Sequence, residues 1–198
     1  MDRALALATR SALRAALAAD PHPLPAPGDR LAAVLALLVE SPEPSLVFTE
    51  RGAHLRRHPG EVSFPGGLVE PGDEDLAATA LREAREEIGL DPQAPEILGA
   101  LPSVHTFVSG ILVTPFVGAI EAALPLAPGD GEIARVLTVP VAVLATVEEE
   151  RELHREGGRV WHGWWYEVDD ATIWGATGFM VRALLNIVRK EAPWLIES

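Results

Sequence analysis

Apolar positions follow helical spacing at both ends of the chain and strand spacing between them. Residues Asp2–Ala19 carry leucines at helical intervals, which predicts an amphipathic helix. Gly175–Ala192 has the same periodicity and predicts a closing helix. The run Asp20–Gly28 contains four prolines, so we expect the first helix to end there in an extended connector.

Between these helices, short apolar runs alternate with turn residues. Arg30–Glu40 is almost continuously apolar, as expected of a strand buried on both faces, and Ser45–Arg51 follows closely enough to predict a hairpin. A helix is predicted over Asp73–Ile88, ending at Gly89, and a short one from Pro140. The remaining predicted strands are Glu96–Val104, Ile111–Ile120, the first part of Glu132–Val147, and Arg159–Val168.

This order of elements predicts one α/β domain over residues 1–198, with a mixed β-sheet between flanking helices and the helix at 2–19 as an extension. The chain is 48% hydrophobic, which is enough for a substantial core and excludes a disordered class. Arginines interrupt the first segment, and no run reaches membrane-spanning length. We therefore expect a cytoplasmic protein without a membrane partner.

Charge and cysteine content narrow the function classes. The net charge of −13 argues against a nucleic-acid partner, because such proteins normally carry a basic patch. It does not exclude a small anionic substrate, since a metal ion or a few arginines reverse the sign locally. The absence of cysteine excludes disulfides, thiolate metal sites and a cysteine nucleophile. The main basic cluster is Arg51, Arg56, Arg57 and His58.

Three glutamates share one face of the predicted central helix. Glu83, Glu86 and Glu87 lie three or four positions apart, where like charges repel each other. A hard divalent cation prefers carboxylate oxygens combined with substrate phosphates, so the cluster indicates a metal site. On this helix alone, a solvated acidic face partly neutralised by Arg82 and Arg85 is an equally good interpretation.

The preceding loop and this helix together resemble the sequence box of the Nudix hydrolases. That pattern is glycine, five residues, an acid, seven residues, and then Arg-Glu-apolar-x-Glu-Glu-x-Gly-apolar. Gly67 supplies the first glycine, and residues 82–90 match the last block without exception. The box is one residue longer than usual, which leaves open whether Asp73 or Glu74 is the acid before the helix.

The resemblance implies a Nudix-type α/β/α sandwich and hydrolysis of a nucleoside diphosphate derivative with Mg²⁺ or Mn²⁺. The metal ligands that it implies are Glu83, Glu86 and Glu87. Arg82 is expected to orient one of these carboxylates, while Gly66 and Gly67 let the backbone approach the metal. The general base is open among these glutamates and one from a distant loop, for which the candidates are Glu148, Glu149 and Glu150.

The stretch Leu46–Gly67 is similar to the element upstream of the box in the coenzyme A pyrophosphatase branch of this family. Its matching residues are Thr49, Arg51, Leu55, Arg56, His58, Gly60, Val62, Phe64, Pro65, Gly66 and Gly67. Leu101–Gly118 resembles a later substrate-side segment of the same branch, in which His105 and Thr106 could reach substrate. The resemblance implies coenzyme A as the substrate, and 3′,5′-ADP and 4′-phosphopantetheine as products. Arg51 and Arg56, with His58 beside them, are then expected to bind phosphate.

Two other functions stay open. The same chemistry could act on ADP-ribose or NADH, or the fold could bind a nucleotide without cleaving it. The complete glutamate set disfavours the second alternative. The aromatic run Trp161–Glu167 is expected in the core or on a sheet surface, and the acidic run Val147–Glu152 in a solvated helix or loop. The sequence does not predict a preference for free or acylated coenzyme A, or the oligomeric state.

Overall fold

Helices and strands alternate along the residues that the computed structural model describes, which are 2–21, 23–55, 58–106, 110–122, 124–129, 131–156 and 159–197. The helices are α1 (Arg3–Ala16), α2 (Leu76–Ile88), α3 (Val141–Val147) and α4 (Gly175–Glu191), followed by a 3₁₀ turn at Pro193–Leu195. The strands are β1 (Arg30–Ser41), β2 (Ser45–Arg51), β3 (Val62–Ser63), β4 (Gly66–Leu68), β5 (Glu96–Ala100), β6 (Val104–His105), β7 (Ile111–Ala122), β8 (Ile133–Pro140), β9 (Glu148–Glu156), β10 (Arg159–Val168) and β11 (Ala171–Ile173).

The mixed central sheet is built on β1. This strand pairs in parallel with β7 along nearly its whole length and antiparallel with β2, which in turn pairs with β8. Leu35 and Leu37 pack toward α2, whereas Ala36 and Leu38 pack toward the opposite layer. The prediction of a strand buried on both faces is therefore confirmed, because successive side chains of a strand point to opposite faces.

The hairpin of β1 and β2 opens away from its turn. Leu38 lies opposite Leu46 beside the turn, and further along the two strands separate. Two short strands fill the opening: β4 pairs with β1, with Gly66 opposite Val34, and β3 pairs with β2. This wedge carries the Gly66–Gly67 backbone into the sheet beside α2.

The layer opposite α2 contains α1, α3, α4 and a separate antiparallel sheet of β9, β10 and β11. An ion-pair network holds α1 in place. Arg10 Nη2 lies 2.6 Å from Oε2 of the buried Glu40, and Arg10 Nη1 lies 2.8 Å from Glu96 Oε2. Trp194 Nε1, close to the C-terminus, donates a 2.8 Å hydrogen bond to Thr9 Oγ1. The α/β/α arrangement that the resemblance implied is confirmed.

Several predicted boundaries were wrong for local reasons. The first helix ends at Ala16 because Leu17 adopts an extended conformation and Ala18 forms a β-bridge with Ala100. The acidic run predicted as a helix or loop begins strand β9 at Glu148, since β10 supplies its pairing partner. The predicted strand over 96–104 is divided into β5 and β6. Within the described ranges, no helix is both long and apolar enough to cross a membrane.

Candidate active site

Helix α2 presents its glutamates on the face that points away from the core. Asp75 Oδ1 caps the helix by accepting a 2.7 Å hydrogen bond from the N–H of Ala78, and Gly89 ends it in a left-handed conformation. The buried side of α2 packs against the sheet through Thr79, Ala80, Ala84 and Ile88. The opposite side carries Glu83, Glu86 and Glu87, as their spacing predicts.

Arg82 joins the glutamate face to the preceding loop. Its Nη1 lies 2.9 Å from Glu83 Oε1 and 3.4 Å from Glu86 Oε2. Its Nη2 donates a 3.0 Å hydrogen bond to the carbonyl oxygen of Leu68 in β4. The guanidinium therefore fixes the directions of two carboxylates relative to the wedge strands.

Asp73 is the acid that meets this arginine. Arg82 Nε lies 2.9 Å from Asp73 Oδ1, and the Thr79 hydroxyl donates a 2.8 Å hydrogen bond to Oδ2. The hydrogen bonds from Arg82, and then that from the N–H of Glu70, hold the pKa of Asp73 well below its usual range. Glu74, the alternative from the sequence, is exposed. The extra residue of the box therefore lies between Asp73 and the helix, where Asp75 acts as the cap.

The Gly66–Gly67 pair lies against the same glutamates. The N–H of Gly66 donates a 3.2 Å hydrogen bond to Glu87 Oε2. Gly66 has a φ of 158°, and a Cβ there would lie 2.4 Å from the carbonyl oxygen of Ala33. A Cβ at Gly67 would lie 2.4 Å from Glu83 Oε1. The position of the Glu83 carboxylate therefore depends on the absence of a side chain at Gly67, and the close approach of β4 to β1 depends on its absence at Gly66.

The loop that follows β2 carries the predicted phosphate-binding residues. Arg51 Nη2 lies 3.1 Å from Glu132 Oε2, and the N–H of Gly52 donates a 2.7 Å hydrogen bond to the Glu132 carbonyl oxygen. His58 is exposed and its Nδ1 lies 2.7 Å from Glu61 Oε2. Arg56 and its neighbour Arg57 lie outside the described residues.

Comparison with known proteins decides the family. Residues 29–177 match the sequence model of the NUDIX domain. The proteins named "Uncharacterized Nudix hydrolase NudL" from Cronobacter sakazakii and Salmonella paratyphi B are each 42% identical over 159 residues, covering 78% of this chain and 81% of each relative. A MutT/nudix family protein from Enterococcus faecalis shares the fold, with a TM-score of 0.53 and 17% identity, over 96% of this chain and 71% of that one.

The chain belongs to the NUDIX family. Its reaction class is accordingly hydrolysis of the pyrophosphate in a nucleoside diphosphate derivative, and NUDIX hydrolases generally use divalent cations such as Mg²⁺ or Mn²⁺.

The donor set of this NUDIX hydrolase fits such a cation. Glu83, Glu86 and Glu87 offer only carboxylate oxygens, which Mg²⁺ and Mn²⁺ prefer, and the absence of a side chain at Gly67 lets the Glu83 carboxylate lie against the backbone. Burial raises the pKa of Glu83, against the opposing effect of Arg82. In the ranges that the structure describes, no three His, Asp or Glu side chains are gathered as a ready metal site. Two of the glutamates instead contact Arg82, and Glu87 accepts from Gly66.

Glu148, one of the candidate distant carboxylates, belongs to a different cluster. Its side chain is 9% exposed, and its Oε2 lies 2.5 Å from Arg182 Nη1 and 2.7 Å from Arg189 Nη2. Tyr166 donates a 2.9 Å hydrogen bond to Oε1, and burial together with this carboxylate raises the pKa of Tyr166. These contacts join α4 to the second sheet, which makes Glu148 a packing residue in this structure.

The other two candidates, and the aromatic run, lie on the same small sheet. Glu149 pairs with Arg151 at 2.5 Å, and Glu150 Oε1 lies 3.5 Å from His162 Nδ1. In the aromatic run, Tyr166 is fully buried and Trp165 stacks on Trp174 with ring centroids 6.1 Å apart. The expectation of core and sheet-surface aromatics is confirmed. His105, which could have reached substrate, contacts Asp29 Oδ2 at 2.8 Å.

Sequence reasoning missed the segment between β7 and β8. The N–H groups of Ala127 and Gly129 donate to the carbonyl oxygens of Ile88 and Glu87, at 3.2 and 2.9 Å. Glu132, three residues later, contacts Arg51. The local signals were the Pro-Gly pair at 128–129 and the Asp-Gly pair at 130–131, which mark turns but do not show what the turns contact.

Proposed function

We propose that this NUDIX hydrolase cleaves the pyrophosphate of coenzyme A with Mg²⁺ or Mn²⁺, giving 3′,5′-ADP and 4′-phosphopantetheine. One observation carries the proposal: the chain segment that bears Arg51 returns through β3 to Gly66, whose N–H contacts Glu87 on α2. A phosphate-binding arginine and the cation-binding glutamates are thereby parts of one continuous structural unit. The resemblance of Leu46–Gly67 to the coenzyme A branch supports the same substrate.

The glutamates and Arg82 have different roles in the site. Glu83, Glu86 and Glu87 are the groups that would hold the cation, while Arg82 keeps two of them oriented through its link to Asp73. A divalent cation bound there would neutralise phosphate charge and lower the pKa of a bound water. In the reaction, water adds to one phosphorus and the bridging P–O bond breaks. A carboxylate of the site accepts the proton of the water, and the choice among the glutamates is open.

The arginine loop accounts for the choice of substrate. Coenzyme A carries a 3′-phosphate in addition to its pyrophosphate, and an arginine fork binds such a group through two parallel hydrogen bonds. Arg51 is positioned at the end of β2 by its backbone pairing with β8 and by its N–H, which donates to the carbonyl oxygen of Glu61, and Arg56 and His58 follow it in the sequence. ADP-ribose and NADH lack this phosphate, so they would leave Arg51 without a partner on the substrate.

The test is an end-point assay of the full chain with coenzyme A, Mg²⁺ and separation of products by ion exchange. We expect the wild type to release 3′,5′-ADP, and Glu83→Gln and Glu87→Gln to lose at least a hundredfold in rate. Glu43→Gln is the matched control, because Glu43 is an exposed glutamate in the turn between β1 and β2.

Two other outcomes of this assay would overturn part or all of the proposal. Cleavage of ADP-ribose or NADH, with coenzyme A left intact, would overturn the substrate and keep the reaction class. Nucleotide binding without cleavage, with either cation, would instead favour the binding-module alternative.

A further inference from the structure

The segment between β7 and β8 touches two parts of the proposed site. At one end, the N–H groups of Ala127 and Gly129 hold the last carbonyl oxygens of α2, those of Ile88 and Glu87. A Cβ at Gly129 would lie 1.9 Å from the carbonyl oxygen of Glu86, so the segment and the helix are in direct backbone contact. At the other end, Glu132 binds Arg51.

Chain length limits how far apart these two contacts are. Three peptide links join Gly129 to Glu132, and three extended residues span at most about 11 Å. The Arg51 guanidinium is therefore held within reach of the end of α2 that carries Glu87. A pyrophosphate bound by the glutamates and a second phosphate on the same small molecule fit within such a distance.

Arg51 is already paired with a carboxylate before substrate binds. Its Nη2 contacts the Glu132 carboxylate at 3.1 Å, and its side chain is 27% exposed. Its Nε is buried and makes no hydrogen bond to a residue that the structure describes. A carboxylate thus occupies part of the guanidinium that a phosphate would use. Arginine binds carboxylate and phosphate through the same planar geometry, so the two anions compete for it.

We propose that Glu132 is a specificity-determining residue that covers the phosphate-binding face of Arg51 and yields it only to a substrate with a phosphate beyond the scissile pyrophosphate. This inference rests on the proposed function, in which Arg51 binds that phosphate. A doubly charged phosphate displaces the single carboxylate, because it brings more charge to the same fork. A weaker anion, or a substrate without the group, leaves the Arg51–Glu132 pair intact. Glu132 therefore sets the affinity of Arg51 for such a phosphate, and with it the ratio of the KM values for substrates with and without the group.

The experiment compares steady-state kinetics of wild type and Glu132→Gln on coenzyme A and on dephospho-coenzyme A, which lacks only the 3′-phosphate. We expect the variant to lower KM for coenzyme A about two- to fivefold, which is the range of exposed ion pairs, with kcat unchanged. KM for dephospho-coenzyme A should stay the same. Inhibition by inorganic phosphate should become stronger, since Arg51 is then uncovered.

Two further variants make the result specific. Glu121→Gln removes the same charge from an exposed residue near the end of β7, and it should leave the ratio of the two KM values unchanged. In an Arg51→Gln background, the effect of Glu132→Gln on KM should vanish if the two residues act as a pair. Thermal unfolding of every variant separates these effects from a loss of folded protein.

Contrary outcomes are distinct. A rise in KM for coenzyme A in Glu132→Gln would mean that Glu132 holds Arg51 ready for substrate, and a fall in kcat alone would place it in the chemical step. An equal change in KM for both substrates would show that it does not read the phosphate. Each of these overturns the inference while the proposed function stands. Failure of the wild type to cleave coenzyme A would overturn the proposed function first.

Discussion

Two of the clusters of glutamate and arginine described above have opposite ratios of acidic to basic groups. On α2, the single guanidinium of Arg82 serves Asp73, Glu83 and Glu86. Between α4 and the second sheet, two guanidinium groups and a tyrosine hydroxyl converge on Glu148 alone. The first cluster has more carboxylates than donors, whereas in the second the one carboxylate is bonded by three donors.

The difference shows how a run of glutamates acquires different roles in one chain. A carboxylate surrounded by donors stabilises packing, because its buried charge is matched and its lone pairs are used. Carboxylates that outnumber their donors repel each other and favour a bound cation. The chain contains both kinds of cluster, and sequence spacing alone does not separate them.

The largest expected effect tests the acidic cluster. Glu87→Gln should reduce the rate of pyrophosphate hydrolysis at least a hundredfold, because a neutral amide is a poor ligand for Mg²⁺. It should change the melting temperature little in metal-free buffer, since it removes like-charge repulsion, and the amide oxygen of glutamine can still accept the hydrogen bond from Gly66. Activity and differential scanning calorimetry on the same preparation check both parts. A large loss of stability would contradict the comparison, because Glu87 would then resemble Glu148.

The second effect tests the bonded cluster. Glu148→Gln should lower the free energy of unfolding by about 2 kcal/mol, because Arg182 and Arg189 are left partly buried without their counter-charge. For a chain of this size the melting temperature should fall by about 4–8 °C. The rate constant kcat at 25 °C should remain within about twofold of wild type, since the contacts of Glu148 join α4 to the second sheet. If kcat falls at least tenfold in a fully folded variant, Glu148 acts in catalysis after all.

A third effect tests the space beside the glutamates. Gly67→Ala should reduce kcat about tenfold, because the new methyl group would displace the Glu83 carboxylate. Gly72→Ala is the matched control, since no atom lies within 4 Å of a Cβ built at Gly72. Equal activity of the two variants would show that the Glu83 carboxylate can move without loss of function.

The smallest effect concerns Asp73 and pH. The pKa of Asp73 is lower in the folded state than in the unfolded state. Asp73 therefore stabilises the fold above its unfolded-state pKa, and this stabilisation is lost as the pH falls through the lower folded-state pKa. The stability difference between wild type and Asp73→Asn should be equal at pH 7 and pH 5, and shrink only below about pH 4. Urea unfolding across this range measures it. The control Glu74→Gln should show no such difference, and a matching profile for it would reopen the choice of acid.

The sequence was sufficient to predict the elements that are determined by residues close together in the chain. Helix α2, its glycine end and the hairpin of β1 and β2 follow from periodicity and turn residues, and the NUDIX box follows from a contiguous motif. Asp73 could not be distinguished from Glu74, because both are acidic residues just before the helix. Only the fold brings one of them to Arg82.

Contacts between distant residues were not predictable in this way. Glu148 precedes Arg182 by 34 residues and Arg189 by 41, so nothing near it in sequence indicates that it is bonded. The acidic run became a strand because β10 pairs with it, which outweighed its charged composition. Glu132 and Arg51 are 81 residues apart in sequence and meet because β2 pairs with β8.

The parallel pairing of β1 with β7 has a consequence for how the molecule acquires activity. Arg30 pairs with Ile111, so 81 residues (111 − 30) separate the partners, and Arg51, Asp73 and the α2 glutamates all lie inside that loop. Closing a loop of this size costs entropy before any contact compensates for it, and parallel pairs of high contact order form slowly. Helix α2 can form early, because its hydrogen bonds are local, whereas the sheet on which it packs includes the slow β1–β7 pair. Refolding followed by circular dichroism should therefore recover helical signal before it recovers hydrolysis, which makes the slowest step of folding the one that assembles the catalyst.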